Sequence, residues 1–410
     1  MTHTSDSSPS VLMLSVSPMI FDTRIQRECL ALQSLGYNVS VLYVEDQEFV
    51  DGLPDPEKSW NEYLASTRGI RTIRVFLRTR QWRRLPKSMQ LAFQALELGI
   101  RFSYLTLKAN AKIVQSNDLT PGVFALLSKA LLHSKVVYDA HELGAETGNP
   151  SFRNLLLEFY ERTLIRYSSL TFTVNHWMRD IMQNRYGRNV RVLGNKPTYT
   201  PASEFQKNRI RVDSGFTDGD KIIAYVGYLS LARGVDKTVE ALKYLPENVK
   251  FAIMGTGRIL EFKEMIKQVA IDNAIAQSRI RFIGPYPSDD VIKVLAGADV
   301  SMLLYQGKVQ NELFNVPNKL FQSIMAQVPV VASSNKSLTD FVYGNPVGHI
   351  GVTVDQSNPI SIARGIDRVL YRENHEAYVA NNRELSSRYS WQEEVKVYTD
   401  GYKQLTGSSV

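Results

Sequence analysis

Residues 315–333 read NVPNKLFQSIMAQVPVVAS. Pro317 suits the opening of a helix, and the spacing predicts a helix from about Asn318 that ends before Val328, where a short buried strand begins. A helix entering this way presents free backbone N–H groups and the positive end of its dipole, an arrangement that suits a diphosphate. Lys319 adds a cation. From spacing alone the same stretch also reads as an ordinary helix between two strands.

On either side of this segment the strand-then-helix rhythm repeats along nearly the whole chain. Apolar runs rich in β-branched residues begin at Val11, Asn38, Ile73, Lys112, Lys135, Leu170 and Val190, and again at Ile222, Val249, Ile280, Val300, Val328 and Ile350. Helical patterns separate them, among them Thr23 to Leu35, Phe152 to Tyr167 and Trp177 to Tyr186. That order is the signature of parallel sheets covered by helices. The polar, proline-bearing stretch from Asn195 to Arg209 breaks the rhythm and reads as an interdomain linker. The expectation is an α/β protein of two doubly wound domains, residues 1–200 and 201–385, with a terminal helix over 386–410 crossing back to the first. Ligands of such sheets bind outside the carboxyl ends of the strands, so the cleft between the domains is the expected site.

Composition agrees with two globular domains. The chain has 410 residues, 44% hydrophobic and 22% charged, enough for two cores of roughly 200 residues each. No run approaches the roughly 18 apolar residues of a membrane span, and MTHTSDSSPS is not the opening of a signal peptide. The single Cys29 reads as a buried hydrophobe, and a reducing cytoplasm is expected. A net charge of +7 admits anionic partners. Its distribution is more pointed: Arg71, Arg74, Arg78, Arg80, Arg83, Arg84 and Lys87 come without one acid, with Trp82 among them. A helical stripe of Met89, Phe93, Leu96, Ile100, Tyr104 and Leu107 follows. Residues 71–107 therefore read either as a peripheral anionic-membrane element on the inner face of the cytoplasmic membrane or as a solvated loop before a core helix.

A second segment, AYVGYLSLARGVDKTVEAL (224–242), runs a strand into Gly227, a turn carrying Arg233 and Gly234, and a helix. Glycine lets a ligand approach the backbone, and Arg233 can fork onto phosphate oxygens. Taken together, YVGYLSLARG (225–234) and PNKLFQSIMAQVPVVAS (317–333) resemble the retaining glycosyltransferases of GT-B family four, in the subgroup with GxLSxxRG and PNKLFE motifs. The resemblance extends through FDTRIQRECLALQSLGYNVSVL (from Phe21), QSNDL (from Gln115), VVYDAHELGAE (from Val136), MGTGR (from Met254), RFIGPY (from Arg281), GADVSMLL (from Gly297) and RYSWQEEVKVYTDGY (from Arg388).

That resemblance implies the GT-B fold and transfer of a sugar from a nucleoside diphosphate sugar, without a metal, to a glycan or lipid-linked acceptor in polysaccharide or glycoconjugate synthesis. It implies a catalytic set of His141, Arg233 and Lys319. Donor contacts would come from Gly227, Arg233, Gly255, Gly257, Ile283, Tyr286, Asn318, Lys319 and Gln322. Acceptor positioning would fall to Asp22, Arg24, Asn117 and Asp118, although Asp22 also reads as a helix N-cap. Three positions depart from the pattern. Phe314 and Gln322 replace glutamates common in the family, and Tyr228 replaces an arginine. These departures motivate a non-catalytic scaffold of the same fold as one alternative, and a nucleotide-sugar epimerase is another. MGTGRIL lacks the third glycine of a dinucleotide fingerprint, which disfavours an oxidoreductase. No metal-ligand spacing, hydrolase triad or nucleic-acid module is present in the sequence.

Overall fold

Each apolar run becomes a strand whose neighbours are parallel, because a helix or long crossover returns the chain to the same end of the sheet before the next strand begins. The computed structural model describes residues 8–17, 22–45, 69–82, 85–145, 151–256, 259–284, 286, 288–306 and 316–407. It divides into two units, Met1–Gly194 with Val395–Val410, and Asn195–Glu394.

The first unit holds β1 (Ser10–Ser15), β2 (Asn38–Glu45), β3 (Arg71–Phe76), β4 (Ile113–Asn117), β5 (Lys135–Ala140), β6 (Leu170–Thr173) and β7 (Arg191–Val192). Their order is β3-β2-β1-β4-β5-β6-β7. It reverses between β1 and β4, where Leu14 stands beside Ser116, so the carboxyl ends of β1, β4 and β5 gather at a switch point. The second unit holds β8 (Lys221–Tyr228), β9 (Val249–Thr256), β10 (Ile280–Ile283), β11 (Val300–Leu303), β12 (Val330–Ser333) and β13 (Gly351–Val354). Their order is β10-β9-β8-β11-β12-β13, with the reversal between β8 and β11. Both faces of this sheet are covered. Ile223, Tyr225, Phe251 and Ile253 pack on one side, and Ile222, Ala224, Ala252 and Met254 on the other, as the two-residue period of a strand requires.

β6 stops earlier than the apolar pattern suggested. The Asn175 side chain accepts the Met178 N–H at 2.9 Å and caps the helix His176–Tyr186, which takes the chain out of the sheet. The stretch from Asn195 to Arg209 is not a bare tether. Gln206 N–H donates to the Lys293 carbonyl at 2.9 Å, and the Pro197 carbonyl accepts from Trp391 N–H at 2.8 Å. The stretch thus packs as part of the second unit. The terminal helix Trp391–Thr406 starts in the second unit, and its residues from Val395 onward belong to the first.

The crossovers after β3, β4 and β5 all step across the sheet in the same direction, so right-handed connection places the helices Lys87–Ala109, Gly122–Leu132 and Phe152–Tyr167 on one face. The first of these buries little beyond Phe102 and Thr106. Met89, Phe93, Leu96, Ile100 (62% exposed) and Tyr104 all face outward, and exposed Trp82 stacks edge-on against Phe93 at 5.4 Å. Arg83 and Arg84 lie outside the described residues. Among the described residues no helix is long and apolar enough to cross a membrane.

Gly351 opens β13 against β12. A Cβ built there would lie 2.0 Å from the Val330 carbonyl oxygen, a contact that only backbone movement can relieve. We expect Gly351→Ala to cost about 2–4 kcal/mol of stability, measured by denaturant unfolding of the full chain; a loss too small to measure would contradict the packing described.

Candidate active site

In the second unit the site forms where the strand order reverses. β8 ends at Gly227 and Tyr228, and a tight turn, Leu231–Arg233, follows. Gly234 has φ +63°, and a side chain there would press into Leu304 at 2.7 Å. Only glycine lets the turn settle on the end of β11 in this way. The Ala232 carbonyl also accepts from Gln306 N–H at 2.9 Å. These contacts set the Arg233 guanidinium over the ring of Tyr305, 4.5 Å from its centroid.

Lys319 arrives from another element. It is the second residue of the helix Asn318–Met325, whose N-cap, Pro317, supplies no capping side chain. Its ammonium lies 5.7 Å from the Tyr305 centroid and 4.3 Å from that of Tyr225, and it donates to the Tyr225 hydroxyl at 2.7 Å. Ser323, one turn on, ties the helix to β11 through Ser301 at 2.8 Å. Two cations thus share one aromatic platform. Burial first, and the Arg233 charge second, push the Lys319 ammonium well below its ordinary range. An anion placed beside both would remove that penalty.

The two glycines read as ligand approaches do something else. A Cβ on Gly227, whose φ is +124°, would meet Lys319 Cε at 2.3 Å, so the missing side chain makes room for the lysine stem. A Cβ on Gly255 would meet Leu229 Cδ2 at 2.4 Å, so that space is filled by leucine. Ile283 is buried in the core, which leaves only its backbone for a nucleotide. Tyr286 gives its hydroxyl to Asp213 and its ring to Arg209, 4.9 Å away. Asn318 is exposed at the helix entrance, and Gln322 is half-buried on the same helix. Gly257 and Phe314 lie outside the described residues. Tyr305 and Tyr225 were not singled out in the sequence; each reads there as one more apolar residue of a strand.

The first unit gathers a different cluster at its own switch point. Asp139, next to last in β5, receives Arg24 through two hydrogen bonds of 2.7 Å, while Arg24 Nη1 donates to the Leu193 carbonyl at 2.7 Å. Arg24 is 1% exposed. Its expected role at the acceptor is therefore corrected: an enclosed guanidinium committed to Asp139 positions that carboxylate and has no open face. Asn117 is likewise buried, with its amide on the Leu14 carbonyl at 3.2 Å. Asp22 caps the helix Thr23–Ser34 by accepting from Ile25 N–H at 3.1 Å. Asp118, half-exposed with φ +71°, turns its carboxylate onto the His141 N–H at 3.0 Å.

His141 stands between two carboxylates. Nε2 is 3.0 Å from Asp139 and Nδ1 is 3.5 Å from Asp118. With an acceptor at each ring nitrogen, the doubly protonated imidazolium fits and a neutral general base does not. Burial alone would lower the affinity of the ring for its proton, but Asp118 and Asp139 outweigh it and hold the group at about 10. Behind Arg24 lies Glu28, whose carboxyl burial and then Asp139 push well above its usual range. Glu28 accepts from the Gln115 amide at 2.7 Å, and Gln115 in turn accepts from Tyr398 at 2.8 Å and Tyr402 at 2.5 Å. A buried polar chain therefore runs from the terminal helix to His141. Among the described residues no group of three or more His, Cys, Asp or Glu side chains could hold a metal ion.

A histidine raised from 6.5 to about 10 by folding stabilises the fold fully below pH 6.5, and that contribution is lost as pH climbs through about 10. We expect wild type to exceed His141→Gln in stability at neutral pH by a margin that shrinks between those limits, measured by denaturant unfolding across pH. A pH-independent margin would contradict the imidazolium assignment.

Comparison with known proteins follows the same division. Residues 206–385 match Glycosyl transferases group 1, and residues 22–196 match the Glycosyl transferase 4-like domain. An uncharacterized glycosyltransferase of Methanocaldococcus jannaschii is 28% identical over 205 residues, 48% of each chain, so the chain spans about half the length of that curated relative. The Anabaena HepE protein in complex with UDP and glucose aligns with a TM-score of 0.71 at 14% identity, over 98% of this chain and 100% of that one. Sucrose-phosphate synthase from Thermosynechococcus elongatus aligns at 0.70 and 16% identity, over 98% and 100%. At such identities the structural likeness establishes the fold. With two parallel Rossmann-like sheets of the GT-B type and both domain matches in order, the chain belongs to the group 1 glycosyl transferases that carry a 4-like first domain.

Proposed function

We propose that the protein transfers a sugar, with retention of configuration and without a metal, from a nucleoside diphosphate sugar to a glycan or lipid-linked acceptor in polysaccharide or glycoconjugate synthesis. One observation carries the reading: Arg233 and Lys319 converge on the Tyr305 ring at the mouth of an uncapped helix. Two neighbouring cations, one of them weakened by burial, form a poor resting state and a good cradle for a diphosphate. The structurally similar Anabaena HepE protein was crystallised with UDP and with UDP-glucose, which supports a donor of that class.

In this mechanism the anomeric C–O bond to the diphosphate breaks while an acceptor hydroxyl attacks from the same face. The acceptor proton passes to the departing phosphate oxygen. Charge grows on the diphosphate as the bond lengthens, and Arg233, Lys319 and the backbone N–H groups at Asn318 stabilise it. His141, with both ring N–H groups committed to Asp118 and Asp139, is an imidazolium and does not abstract a proton. Gln322, half-buried one turn after Asn318, bonds a ribose hydroxyl through its side-chain amide in this reading.

The acceptor is held at an anionic membrane surface, on the inner face of the cytoplasmic membrane, through residues 71–107. Exposure of Trp82 and of the stripe from Met89 to Tyr104 beside Arg71 and Arg78 supports this. The protein is accordingly a peripheral cytoplasmic enzyme.

Arg233→Ala and Lys319→Ala are each expected to reduce sugar transfer by about 10²–10³-fold, with donor hydrolysis falling in parallel. Product analysis on a panel of nucleotide sugars, with and without acceptor, measures both. Near-normal turnover in the two variants would remove their role, and conversion of the donor to an epimer without acceptor would replace transfer by epimerisation.

A further inference from the structure

The helix Phe152–Tyr167 buries one face against the first sheet and still carries an apolar outer face. Asn154, Glu161, Leu164 and Ile165 fill the inner side. Phe152 (76% exposed), Leu155, Leu156 and Phe159 (69%) recur at i, i+3, i+4 and i+7 and so form one outward stripe. Arg153, Arg162 and Arg166 are exposed around it. Of the two acids on this helix, Glu161 is buried and Glu158 is paired with Arg162 at 3.4 Å. Through the helix Gly122–Leu132, which packs on both, this helix shares a face of the unit with Lys87–Ala109 and its own exposed stripe.

We infer that the helix Phe152–Tyr167 is a second arm of the membrane-docking surface, seated on anionic lipid headgroups, and that it carries the His141 loop to the membrane with it. The inference rests on the membrane-held acceptor proposed above. An apolar stripe edged with arginine suits a lipid interface, where rings and aliphatic side chains enter the acyl boundary and the cations meet phosphate. A second copy of the same face would set arginine against arginine.

The inner side of this helix ties the docking surface to the site. Glu161, wholly buried, accepts from the Tyr138 hydroxyl at 2.9 Å, the Tyr186 hydroxyl at 2.7 Å and the Gly144 N–H at 3.3 Å. Tyr160 donates to the Leu119 carbonyl at 3.0 Å. A side chain at Gly144 would collide with Leu119 at 2.5 Å, so the two loops are packed together. The loops bearing Asp118 and His141 are thus fastened to the helix one residue beyond Phe159. Seating the stripe on a membrane fixes the distance of those loops from an acceptor whose lipid lies in the same membrane.

The test is co-sedimentation of the full chain with vesicles of phosphatidylglycerol and phosphatidylcholine in equal parts, and with phosphatidylcholine alone. We expect binding to the anionic vesicles only. The Phe152→Ser, Phe159→Ser double variant should lose about tenfold or more in vesicle affinity and keep its affinity for UDP in solution. Undiminished vesicle binding by the double variant overturns the inference and leaves the transferase reading standing. A change in oligomeric state without a change in vesicle binding also overturns it, since the face would then join two copies. Failure of the wild type to bind any nucleotide, with vesicle binding intact, removes the transferase reading and leaves this surface in place.

Discussion

Two like charges held against one aromatic ring govern the second unit. Arg233 and Lys319 reach Tyr305 from a turn and from a helix, and among the described residues neither is paired with a carboxylate. Most paired cations in a protein are separated by acids or by water. Here the local construction forbids separation: Gly234 seats the turn on Leu304, and Gly227 gives up its side chain to the lysine stem. The cations therefore repel each other until an anion arrives, and the Lys319 ammonium holds its proton less firmly than an ordinary lysine. Preorganisation of this kind costs stability in the empty protein and returns it on binding.

The first unit handles charge in the opposite way. Its cluster sets opposite charges together: Arg24 faces Asp139 and Glu28, His141 lies between Asp139 and Asp118, and burial raises the Glu28 carboxyl well above its usual range. Such networks are expensive to disturb because removing one member leaves a buried charge alone. The arrangement fixes both the orientation and the protonation of His141. It also reaches the terminal helix, since Tyr398 and Tyr402 orient the Gln115 amide toward Glu28.

The strands were legible because β-branched runs bounded by turn residues have few other fates, and thirteen such runs correspond to the thirteen described strands. Arg233 and Lys319 were legible for a related reason: a basic residue in a strand-to-helix turn, or just inside a helix, has a predictable direction. Arg24 and Asn117 were not, because a charged residue after a strand looks the same in sequence whether it meets solvent or a buried carboxylate 115 residues away. Gly227 and Gly255 misled in the same fashion; an absent side chain says that something comes close without saying whether it is ligand or leucine. The link from Tyr402 to Gln115 spans 287 residues and leaves no local pattern at all. The helix Phe152–Tyr167 was visible as a helical pattern, yet only the packing tells which face is buried and which apolar stripe faces outward.

The most direct measurement is titration calorimetry of UDP binding in buffers of different ionisation enthalpy at mildly alkaline pH. Because the diphosphate restores the proton affinity that burial and Arg233 have taken from Lys319, binding should draw protons from solution, and affinity should fall as pH rises. Lys319→Ala should bind weakly and without proton uptake. Tight UDP binding that takes up no proton, or that survives the loss of Lys319 unchanged, would contradict the account.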